Sequence, residues 1–118
     1  MSKSEHEVLL ICSPFQPGIE VVGDLVLKLG VPYSAASVTL EVNPEIEKYD
    51  GAPKPNVRQV MITKRTKDTQ IMPFDFKDNK KKTVVYKGRT YEIELMEISK
   101  TNQEGQDFPS FRFKVIEG

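Results

Sequence analysis

Thr90-Tyr91-Glu92-Ile93-Glu94-Leu95-Met96-Glu97-Ile98 and Phe108-Pro109-Ser110-Phe111-Arg112-Phe113-Lys114-Val115-Ile116 decide the fold of this 118-residue chain. In the first run Tyr91, Ile93 and Leu95 share one side and Glu92 and Glu94 the other. In the second, Phe111, Phe113 and Val115 oppose Arg112 and Lys114. Side chains alternate across a strand with period two, so each run describes a half-buried β-strand. The polar stretch from Ser99 to Asp107, holding Gly105, reads as the loop between them.

Working outward, Thr83 to Tyr86 and Thr90 to Ile98 form a hairpin across Lys87-Gly88-Arg89, where glycine supplies a positive φ. Val8-Leu9-Leu10-Ile11-Cys12 is a continuous apolar run, the pattern of a strand covered on both faces. Ser13-Pro14-Phe15-Gln16-Pro17-Gly18 breaks it. Ile19 to Leu29 follows, with Gly23 marking a bulge or bend. Ser37 to Val42 alternates again. Asn43-Pro44-Glu45-Ile46-Glu47 carries helix-start chemistry: a capping residue, proline at the first position and acids at the positive helix end. Val57 to Thr63 is a further strand. Gln70 to Phe76 reads as a short edge strand interrupted by Pro73.

The expected architecture is one all-β domain over residues 1–118. It is an antiparallel β-sandwich of about seven to eight strands, with at most one short helix near residues 44–50. The chain has no tryptophan and a single cysteine, so the immunoglobulin hallmarks are missing.

Composition narrows the function classes. A hydrophobic fraction of 38% and a charged fraction of 29% belong to a globular chain able to bury one core. No apolar run is long enough for a membrane helix, so no membrane partner is expected. The start of the chain lacks a secretory pattern. Cys12 alone cannot form an intrachain disulfide, which favours a reducing, cytoplasmic setting.

The net charge is zero, but residues 1–50 carry −5 and residues 51–118 carry +5. Strands from the two halves lying side by side would neutralise one another. The same imbalance also allows homodimerisation or an anionic partner.

Catalytic and metal chemistry find little support. Cys12 reads as a small hydrophobe, and His6, the only histidine, lies about 20 Å away along an extended strand. One His and one Cys cannot build a structural zinc site without carboxylates. Asp75, Asp78 and Asn79 are flanked by Lys77, Lys80, Lys81 and Lys82, which oppose a cation. Glu92 and Glu94 would stand about 7 Å apart on one face, a separation suited to an inverting glycosidase. Every outward Glu-x-Glu strand gives that spacing, and Arg112 and Lys114 are the expected cross-strand partners. No glycine-rich phosphate loop occurs. No catalytic residue, metal or cofactor is expected.

The segment Lys54 to Arg89 holds eleven basic residues against three aspartates, with Phe74, Phe76 and Tyr86 interleaved. Its candidate binding surface is Lys64, Arg65, Lys67, Lys80, Lys81, Lys82, Lys87 and Arg89. Phosphate neutralisation combined with aromatic stacking is how sheets hold single-stranded nucleic acid. Lysines at a sheet edge also protect it from pairing.

The leading expectation is a non-enzymatic module that binds another protein or domain through a sheet edge or loop surface. Nucleic-acid or polyanion binding through residues 54–89 is the first alternative. A carboxylate-dependent enzyme acting on a glycan is the second.

Overall fold

A computed structural model describes residues 4–31, 33–50 and 60–118. Ten strands and no helix occur among these residues: β1 (Ser4–Ile11), β2 (Ile19–Val22), β3 (Leu25–Leu29), β4 (Ser37–Val42), β5 (Glu45–Asp50), β6 (Val60–Lys64), β7 (Gln70–Asp75), β8 (Lys81–Tyr86), β9 (Arg89–Gln103) and β10 (Gln106–Glu117). The first sheet has the order β1-β10-β9-β8 and the second β2-β3-β4-β7, while β5 and β6 form a separate hairpin. Every pairing is antiparallel. The all-β sandwich is therefore as the sequence describes it, with ten strands rather than seven or eight.

The two inner faces share one apolar core. Tyr91, Ile93 and Leu95 of β9 and Phe111, Phe113 and Val115 of β10 are all fully buried. They meet Leu25, Leu27, Val38, Leu40 and Phe74 from the second sheet. Phe74 and Phe113 cross the interface edge-to-face with ring centroids 5.2 Å apart, the geometry the ring quadrupoles favour.

Four expectations need correction. The segment near residues 44–50 is a strand, because Asn43 adopts φ 61°, a left-handed conformation foreign to a helix cap. The chain then pairs as β5 with β6. Gly23 is not a bulge: it opens the two-residue turn between β2 and β3, with φ 59° and Val22 opposite Leu25. The stretch Ser99 to Asp107 is mostly ribbon. Pairing continues to Gln103 opposite Gln106, and only Glu104 and Gly105, both at positive φ, form the turn. Finally, β1 is not covered on both faces, since Leu9 is 39% exposed.

Other details are as expected. Lys87 and Gly88 make the positive-φ turn between β8 and β9, and β7 is an edge strand. Pro73 sits within β7 opposite Thr39 without ending it. The expected strand from Val57 is seen as β6 from Val60; residues 57–59 lie outside the described residues.

The β5–β6 hairpin lies over the outer face of the second sheet. Lys28 Nζ of β3 donates to Thr63 Oγ1 at 2.6 Å. Arg65 forks onto Glu41 of β4 at 3.1 and 3.3 Å. Asn43 fixes the bend: its side-chain oxygen accepts from Val26 N at 3.0 Å, its N–H donates to Val26 O, and its carbonyl accepts from Thr69 Oγ1 at 3.0 Å.

Candidate interaction surfaces

β1 and β2 are the outer strands of their respective sheets. Between them opens a groove of about 470 Å³, lined by Leu9–Ile11 of β1, Gln16–Val21 leading into and along β2, and Ile46 of β5. The sequence builds it in two steps. Pro14, Pro17 and Gly18 end β1 and reverse the chain, and Gly18 takes φ 68°, where a side chain would be strained. Strand alternation then turns Leu9 and Val21 away from the core. Val21 is 54% exposed, and Ile46 is also exposed. Glu20 lines the groove, and Glu45 and Glu47 flank Ile46 in sequence. The site is thus an apolar strip at two strand edges with one acid, Glu20, in its lining.

A second hollow, of about 300 Å³, lies at one end of the sandwich between Tyr33–Ala35, Ile98–Lys100 and Pro109. Cys12 Sγ donates to the Tyr33 hydroxyl at 3.0 Å. A hydroxyl hydrogen bond to the Cys12 sulfur, then the negative charge a Cys12 thiolate would place beside it, and burial, hold the Tyr33 hydroxyl above its ordinary pKa. Tyr33 also stands edge-on to Phe111 at 5.7 Å. Cys12 and His6 are not brought together: His6 instead lies 3.6 Å from Glu117.

The eight basic residues are distributed over separate parts of the surface. Arg65 is committed to Glu41, Lys80 to Glu94 at 3.5 Å, Lys81 to Glu92 at 3.4 Å, Lys82 to Asn79 at 3.3 Å, and Arg89 to Glu117. Lys87 lies 5.5 Å from the Tyr86 ring centroid. Lys64 ends β6 and Lys67 lies in the following loop. Lys80–Lys82 and Lys87–Arg89 occupy opposite ends of β8, about 20 Å apart. Of the interleaved aromatics, Phe74 is a core residue, while Phe76 is exposed. Lys54 and Arg58 lie outside the described residues.

The carboxylates of β9 sit on the outer face of the first sheet. Glu94 faces Lys114, as expected from the sequence, at 3.3 Å. A one-residue bulge between Arg112 and Phe113 passes over Met96, so Arg112 opposes Glu97, and Glu92 stands opposite Ile116. Burial pushes the Glu94 carboxyl up, but the hydrogen bond and charge of Lys114, with Lys81 and Lys80, outweigh it. Its pKa therefore lies below the ordinary value, which makes Glu94 a poor proton donor near neutral pH. Among the described residues, no group of three or more His, Cys, Asp or Glu is placed to hold a metal ion. No helix there is long and apolar enough to cross a membrane.

Among the described residues, ion pairs of Lys or Arg join the two halves in two places and otherwise lie within one half. Glu41–Arg65 and Glu5–Lys114 join the acidic and basic halves. Glu94–Lys114, Glu92–Lys81 and Glu117–Arg89 all lie within the basic half. Comparison with known proteins finds no matching family model, no matching curated protein and no matching solved structure.

The sequence missed the groove. Its one local signal was Leu9 itself, the odd apolar residue in a strand whose alternation would call for a polar one.

Proposed function

We propose that this protein is a non-enzymatic interaction module that receives an extended segment of a partner protein in the groove between β1 and β2. The observation that carries this reading is the juxtaposition of two outer strands with exposed Leu9, Val21 and Ile46. An added strand gains main-chain hydrogen bonds from a free edge, and its alternate side chains take the apolar positions. Glu20 in the groove lining favours a segment carrying lysine or arginine.

The polyanion reading has weaker support. Six of the eight candidate basic residues already hold a protein partner, so phosphate contacts would have to displace those interactions.

The test is capture from the native host with the wild-type protein, a Leu9→Lys/Val21→Lys variant and a Lys67→Glu/Lys87→Glu variant. The reading expects a discrete partner held by wild type and the second variant but lost by the first. The same partner retained by Leu9→Lys/Val21→Lys and lost by Lys67→Glu/Lys87→Glu would overturn it.

A further inference from the structure

We infer that the outer edge of β8 docks on the outer edge of β1 in a second copy of the chain, extending the first sheet head to tail from copy to copy. This rests on the reading of β1 as a docking edge and names what adds to it.

The outer face of the first sheet carries one row of residues across all four strands: Glu7 of β1, Lys114 of β10, Glu94 of β9 and Lys81 of β8. The signs alternate along the row, so it ends in an acid on one edge and a lysine on the other. Within the sheet, Lys114 bridges acids on both neighbouring strands, at 3.8 Å to Glu5 and 3.3 Å to Glu94. Lys81 has acids on one side only, with Glu92 at 3.4 Å. Glu7 and Glu5 of a second copy would supply the other side and give Lys81 the surroundings of Lys114.

Direction and shape agree. Three antiparallel pairings separate β1 from β8, so they run oppositely, and a copy added by continuing the sheet makes another antiparallel pair. In the same rows Lys82 would stand opposite His6 and Thr83 opposite Glu5. Residues Ser4–Glu7 are all exposed, and Val85 of β8 is 65% exposed. The lysines of β8 repel a second β8, and the acids of β1 repel a second β1. A symmetric edge-to-edge dimer is thereby disfavoured, while the unlike edges attract. Such a contact is heterologous and does not close on itself unless its rotation completes a ring.

Sedimentation velocity at low ionic strength, at protein concentrations rising to about 1 mM, tests this. The expected result for wild type is a mass that grows past the dimer with concentration and falls on adding salt. Lys80→Glu/Lys81→Glu and Glu5→Lys/Glu7→Lys should each be monomeric, and mixing the two variants should restore association. Circular dichroism confirms that each variant keeps its β signature, and restoration on mixing is itself a folded-state readout. A wild-type protein that stays monomeric throughout, or a closed dimer that survives both charge reversals, would overturn the inference. The host-capture experiment is independent of this outcome: a monomeric wild type that still captures its partner removes self-docking and leaves the groove reading standing.

Discussion

Lys114 and Glu94 stand directly opposite each other in β10 and β9, with Nζ and Oε1 3.3 Å apart and the Glu94 side chain only 13% exposed. The pair sits at the middle of the charged row crossing the first sheet. A double-mutant cycle with Glu94→Gln and Lys114→Met, read by chemical denaturation at neutral pH, should return a coupling of about 0.5–1 kcal/mol. Because the folded-state pKa of Glu94 lies below its ordinary value of 4.5, this stability is present above that value and fades as pH falls through the folded pKa. Glu94→Gln should therefore flatten part of the acid limb of the stability curve.

Asp75 is the stronger acid-sensitive group. Its Oδ1 accepts from the backbone N–H of Lys77, Asp78 and Asn79 at 2.9, 2.7 and 3.2 Å, and Oδ2 accepts from Asn79 Nδ2 at 3.2 Å. These bonds, led by that of Asp78 and then the Asn79 side chain, lower its pKa from 3.8 to about 2. The turn between β7 and β8 thus gains stability that is complete above the ordinary value and is lost as pH falls from 3.8 to about 2. Asp75→Ala should lower the melting temperature at neutral pH and remove this acid-dependent loss, measured by thermal denaturation across the acid range.

These two carboxylates show how legibility varied along the chain. The register that sets Lys114 against Glu94 follows from period-two patterning in β9 and β10, where one face is buried and sequence alternation reports it directly. Beyond Ile98 the β9 side of the ribbon is polar and at most half-buried, so it carried no strand signal even though its backbone pairs to Gln103. The segment after Asn43 misled for a different reason. Capping chemistry is local, whereas the left-handed bend at Asn43 is held by Val26 and Thr69, distant in sequence. The groove depends on β1 and β2 lying side by side as outer strands of different sheets, a relationship no local pattern encodes. The basic segment was legible as charge but not as a surface, because the fold separates its described members and pairs most of them.

Asn43 should be the least tolerant polar position. Asn43→Ala removes the acceptor for Val26 N and with it the side-chain hydrogen bonding that lets asparagine hold φ 61°, a left-handed conformation that costs an ordinary non-glycine residue about 1–2 kcal/mol. The lost hydrogen bond adds about 1–3 kcal/mol for the stranded donor. Asn43→Gly should lose only the hydrogen-bond part, and denaturation midpoints of the two variants separate the effects.

Tyr91 presents the opposite case. Its ring is fully buried in the core, and its hydroxyl has no hydrogen-bond partner among the described residues. Tyr91→Phe keeps the packing and removes a desolvated polar atom, so it should be neutral or stabilising by about 1 kcal/mol. Phe74→Ala, which empties the edge-to-face contact with Phe113, should cost about 3–5 kcal/mol. Parallel urea titrations of the two variants should therefore shift in different directions or by very different amounts.

The most direct measurement of the groove's role is photo-crosslinking in the native host, with a photoreactive amino acid in place of Val21. A second protein carrying the same group in place of Glu104, at the exposed β9–β10 turn, serves as the reference. The predicted result is a discrete crosslinked species at Val21 that is absent at Glu104 and is lost when Leu9→Lys is added. No crosslink at Val21, or the same pattern from both positions, would contradict the assignment of the β1–β2 groove as the docking site.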